Sequence, residues 1–153
     1  MGLTHVNITL NNAGDVELHR RKMIGEEEIR SLEINCLVDT GAMTMIINDE
    51  IREALGISII GERLGQLADG RKMMLPLAGP IDIWYGDRLC TTNALVMPDD
   101  NDPLLGVIPL EEMDLWIHPA TNKLTPIHPG EGPVMILKQI TAGAKAASLV
   151  PTI

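Results

Sequence analysis

A chain of 153 residues is the size of one ordinary domain and can bury a core without disulfide or metal staples. With 45% apolar and 22% charged residues it is not the composition of a disordered chain. A net charge of −9 excludes the basic footprint of a nucleic-acid-binding protein, and no apolar run approaches the roughly 20 residues that cross a bilayer.

The first expected strand is Val6-Asn7-Ile8-Thr9-Leu10, which alternates with period two and stops at the loop-like Asn11-Asn12-Ala13-Gly14-Asp15. Val16-Glu17-Leu18-His19-Arg20 reads as a returning strand, and Glu26-Glu27-Glu28 as a solvated turn. Residues 30–38 place Leu32, Ile34, Cys36 and Val38 on one face and run directly into Asp39. Met45-Ile46-Ile47 is a short apolar strand. A helix is expected over 49–55, with Asn48 as its cap, Asp49 and Glu50 at the positive end of the dipole, and Gly56 just past its end.

Residues 65–77 read as a hairpin with Asp69-Gly70 at its tip. A second hairpin joins 81–85 to 88–97 through Gly86-Asp87. Pro98 to Pro103 is a loop, Leu104-Leu105-Gly106-Val107 is tightly apolar, and a short helix begins at Pro109 and runs to Met113. Leu115-Trp116-Ile117-His118 and Lys123-Leu124-Thr125-Pro126 flank a turn. The expected organisation is one domain over 1–128, then an extension over 129–153 with a strand at 134–140 and a tail from 141. The whole is mostly β, with one or two short helices.

The chemistry concentrates at Asp39-Thr40-Gly41-Ala42. A carboxylate at the end of an apolar strand, followed by Thr and Gly, suits water activation. Gly41 lets the backbone bend closely around the carboxyl, and the Thr40 hydroxyl can brace a neighbouring loop. One carboxylate is not sufficient. Hydrolysis without metal or covalent intermediate needs both a base for water and an acid for the carbonyl oxygen. Two carboxyls about 3 Å apart can share one proton and supply both. The chain has one such motif, so a second copy related by a two-fold axis would have to supply the other.

Around this motif the chain resembles the retropepsin-like aspartic peptidases, in particular their bacterial and archaeal branch. The resemblance spans about residues 30–127. It rests on Cys36-Leu37-Val38, on Asp39-Thr40-Gly41-Ala42, on the strand and helix ending at Leu55-Gly56, on the hairpin at Ala68-Asp69-Gly70, on Ala94-Leu95-Val96-Met97-Pro98, and on Leu104-Leu105-Gly106. It implies a closed β barrel of the acid-protease fold and an aspartic endopeptidase working as a homodimer on peptide or protein substrates. In that frame Asp39 is the catalytic carboxylate and Thr40 bonds across the dimer. Gly41 and Ala42 shape the floor, and Leu67, Ala68, Asp69, Gly70 and Arg71 form the flap. Leu104, Leu105 and Gly106 support the loop that carries the Asp. The flap lacks an aromatic, residues 1–25 match no part of the family, and the tail after His128 is longer than the family's minimal domain.

Other chemistries find less support. Cys36 and Cys90 lie in strand-like stretches and read as buried reduced thiols, which fits a cytoplasmic location, as does an N-terminus without a basic-then-apolar signal pattern. The acidic run Asp99-Asp100-Asn101-Asp102 lacks the Gly and distal Glu of an EF-hand. His5, His19, His118 and His128 form no zinc pattern, so neither metal nor cofactor is expected. No Gly-x-Ser-x-Gly elbow is present. The competing reading is a non-catalytic dimerisation or peptide-binding module of the same fold.

Overall fold

The computed structural model describes residues 4–98, 101–134 and 137. The chain begins with β1 (Thr4–Asn12), followed by a helix, α1 (Ala13–Arg20), where a returning strand was expected. Asn12 is the reason. Its side chain accepts the Asp15 amide at 3.0 Å, a helix N-cap rather than a turn. Asp15 then turns to Arg30, accepting its Nε at 2.8 Å, its Nη2 at 3.0 Å and its backbone amide at 3.0 Å. The Arg30 guanidinium holds the Asp15 carboxyl below the usual carboxylate range. Glu26–Glu28 forms a single 3₁₀ turn.

After that come β2 (Ser31–Val38), β3 (Met45–Asn48) and α2 (Asp49–Leu55), then β4 (Ser58–Gln66) and β5 (Lys72–Tyr85). They are followed by β6 (Arg88–Met97), β7 (Leu104–Leu105), α3 (Val107–Glu112), β8 (Leu115–Ile117) and β9 (Leu124–Pro126). The bounds of α2 are those expected from sequence: Asn48 Oδ1 accepts the Ile51 amide at 2.9 Å and Gly56 closes the helix at φ 63°. Three α-helices, among the described residues, stand where one or two were expected. The expected strand at 134–140 and the tail from 141 lie almost wholly outside the described residues, as do Asp99 and Asp100.

Seven strands join in the order β1-β2-β7-β3-β6-β5-β4, and β1 also pairs with β5. That extra pairing closes six strands into a ring and leaves β4 on its flank. The fold is mostly β. Two stretches read as separate strands, 72–77 and 81–85, are one long β5. Its first half pairs with β4 as far as Ser58↔Gly79, and its second half pairs with β1 from Asn12↔Ile81 onward. The change of partner falls at Gly79-Pro80, where the register with β6 also shifts. A Cβ on Gly79 would meet the Asn93 side chain, which would have to turn aside.

The core fills the ring with alternate residues of each strand: Ile8 and Leu10, Cys36 and Val38, Met45 and Ile47, Ile81 and Ile83, Ala94 and Val96, with Leu55, Leu105, Leu110 and Met113 closing the ends. No Phe is available, and aliphatic and Met side chains do this packing. Leu32 and Ile34, expected on the same face as Cys36 and Val38, are only partly buried at its edge.

Candidate active site

β2 delivers Asp39 to the site. The Asp39 amide donates to Leu105 O at 3.0 Å, continuing the parallel ladder of Leu37↔Leu104 and Val38↔Leu105 one step beyond the strand. The Ala42 amide then donates to Asp39 O at 3.1 Å and closes the turn. The Gly41 amide donates to Asp39 Oδ1 at 2.8 Å, which fixes the carboxylate against its own loop and leaves Oδ2 without a partner among the described residues. In the single chain Asp39 is half-buried, and Thr40 and Gly41 are exposed.

Leu104-Leu105-Gly106 passes between the two limbs of this loop. β7 is parallel to β2 on one side and antiparallel to β3 on the other, at Ile46↔Leu104. Just beyond it, the Val107 amide donates to Ala42 O at 2.9 Å and the Ile108 amide to Met43 O at 2.9 Å. Gly106 sits in the narrowest part. An added Cβ would collide with Thr44 O and lie 2.7 Å from Thr44 N and 2.8 Å from Ala42 O. The sequence pairing of Asp39–Ala42 with Leu104–Gly106 is therefore a physical contact. Met43, which the sequence did not single out, holds the start of α3 through its backbone carbonyl, and a backbone role leaves no residue-type signal.

Residues 67–71 form the tip of the β4–β5 hairpin. The Leu67 amide donates to Arg71 O at 2.7 Å and the Gly70 amide to Leu67 O at 2.9 Å, with Gly70 at φ 88°, a conformation glycine adopts at no steric cost. The Asp69 carboxylate accepts the Arg71 amide at 3.0 Å and its Nε at 2.6 Å, and these bonds hold it below the usual carboxylate range. The tip is exposed, and no hydrogen bond joins it to residues 39–42 among the described residues.

Two shallow concavities, of about 340 and 450 Å³, are lined respectively by Leu32, Ile34, Ile51 and Pro103 with their neighbours, and by Thr4, Tyr85 and Lys123 with theirs. Asp39 lines neither. Burial pushes both Cys36 and Cys90 up to about 12, helped at Cys90 by Glu112, so neither is a poised thiolate. Among the described residues no three His, Cys, Asp or Glu side chains are placed to hold a metal ion, and no helix is long and apolar enough to cross a membrane.

Residues 26–107, from the 3₁₀ turn through the Asp39 loop and the hairpin to the threading strand, match the family model described as aspartyl protease. The chain belongs to the aspartyl protease family. The retroviral protease-like domain of Ddi1 from Leishmania major superposes with a TM-score of 0.51 at 17% identity, covering 86% of this chain and 92% of that one. That likeness shows the fold. A retropepsin-like aspartic protease from Rickettsia conorii aligns at a TM-score of 0.49 and 17% identity over 76% and 77% of the two chains. EIAV protease, solved with the inhibitor HBY-793, aligns at 0.48 and 18% identity over 72% and 86%. No curated protein sequence matches the chain. The aspartyl protease match stops at Val107, so α1, most of α3 and the β8–β9 pair lie outside it.

Proposed function

We propose that the protein is an aspartic endopeptidase that works as a homodimer, with water held between Asp39 and the partner's Asp39. The observation that carries this reading is the half-exposed Asp39 carboxylate on a loop locked by Gly106, in a chain of the aspartyl protease family that holds one such loop. A single carboxylate in contact with solvent cannot supply both acid and base at once. Two of them across a two-fold axis desolvate each other and share a proton, so that one activates the water and the other protonates the scissile carbonyl.

In that dimer the exposed Thr40 hydroxyl is free to bond to the matching loop of the second copy. Gly41 and Ala42 offer backbone to the substrate, and residues 67–71 close over it and exclude water. Leu104, Leu105 and Gly106 keep the loop from rearranging when the partner docks. A non-catalytic dimer of the same fold would keep this architecture without turning over peptide.

Dilution separates these readings. Peptidase activity per chain should fall as the protein is diluted through its dimer dissociation constant, in step with the dimer fraction from analytical ultracentrifugation. A monomer with constant specific activity would contradict the dimeric site, and a stable dimer without activity on a broad peptide library would favour the non-catalytic module.

A further inference from the structure

Beyond the family-matched residues, the chain after β9 runs back over the end of α3. This segment has little apolar anchorage: Ile127 is 43% exposed and residues 129–133 are all exposed. Polar contacts hold it instead. The Ile127 amide donates to Asp114 O at 2.8 Å, and His128 Nδ1 lies 2.9 Å from both Asp114 carboxylate oxygens. The backbone amides of His128 and Val134 lend further donors to the same carboxylate. Arg88, 8% exposed at its side chain, completes the cluster from β6. Its Nη1 is 3.8 Å from Asp114 Oδ2 and donates to Met113 O at 2.9 Å, and its Nη2 donates to Glu131 O at 3.3 Å.

Asp114 itself is 2% exposed and sits at φ 59°, a backbone region that a non-glycine residue keeps only where its surroundings enforce it. We propose that residues 127–134 form a strap closed over α3 by the ionised carboxylate of Asp114, and that neutralising this carboxylate releases the strap while the β ring stays folded. The inference does not depend on the proposed activity. It does connect to the Asp39 loop, because the same α3 is tied at its other end to the carbonyls of Ala42 and Met43.

The charged groups around Asp114 are few. Arg88 faces it from β6 and His128 from the strap; Asp87 lies 3.7 Å from Arg88 Nε, Glu112 on α3 turns to the Cys90 thiol, and Glu131 contributes only its backbone carbonyl. Burial pushes the Asp114 carboxyl up, but the hydrogen bond and charge of His128, with the two backbone amides, outweigh it and leave the carboxyl below its ordinary value. A depressed carboxylate favours the closed strap, so closure is fully supported above the ordinary carboxylate pKa of about 3.9 and is lost as pH falls through the lower value of the closed state.

Hydrogen exchange on the full chain tests this. After correction for intrinsic rates, Asp114→Asn at pH 6 should exchange at least tenfold faster across 127–134, with β5 and β6 unchanged. The wild type should lose the same local protection only below the ordinary carboxylate value, as pH falls from 4 to 2. Equal protection of 127–134 in variant and wild type, or a loss shared equally by β5 and β6, would overturn the proposal. If Asp114→Asn does not fold, the wild-type pH series decides alone: protection of 127–134 that stays constant down to pH 2 would refute the strap.

Discussion

Asp39→Asn should lower peptide hydrolysis by about three orders of magnitude, a loss typical of removing a group that handles the reacting proton, with the fold intact. The substitution is isosteric. The Asn carbonyl oxygen can still accept the Gly41 amide that now binds Asp39 Oδ1 at 2.8 Å, and the half-buried site imposes little penalty on a neutral amide. What disappears is the capacity to exchange a proton with water. Steady-state kcat/KM beside a thermal melt checks both halves: a variant that keeps activity would remove Asp39 from the mechanism, and one that unfolds would make its role structural.

Gly106→Ala should destabilise the protein by about 3 kcal/mol, the upper end of what an extra methyl group costs in a packed site. Gly106 has φ −89°, which alanine adopts freely, so the cost comes from contact alone. The atoms in the way are Thr44 O, Thr44 N and Ala42 O, all backbone, and none can yield without moving the loop that bears Asp39. Urea unfolding measures the loss. Gly130→Ala serves as a contrast, since nothing lies within 4 Å of a Cβ there and only its φ of 81° resists substitution.

Where the sequence was legible, local chemistry and tertiary structure agreed. The α2 boundaries follow from Asn48 and Gly56, and the inward placing of Ile8 and Leu10 in β1 and of Cys36 and Val38 in β2 follows from alternation. The Asp39 and Leu104–Gly106 segments could be paired only through the family resemblance, and Gly106 proves to be the residue type its narrow position demands. Elsewhere one residue had two uses. Asn12 is as good a turn former as a helix cap, and the choice depended on Arg30 reaching Asp15 from outside the segment. Gly79-Pro80 is a break by composition, yet β5 continues through it by changing neighbours. His128, unremarkable among isolated histidines, acquired a role only when Asp114 came within 2.9 Å.

The central claim is that two Asp39 carboxylates from two chains make one site. Mixing wild type with Asp39→Asn under conditions of free subunit exchange tests it most directly. If both carboxylates are needed, mixed dimers are inactive and activity falls as the square of the wild-type fraction, reaching about a quarter at an equal mixture. Activity that falls in linear proportion to the wild-type fraction would show each chain working alone and would contradict the shared site.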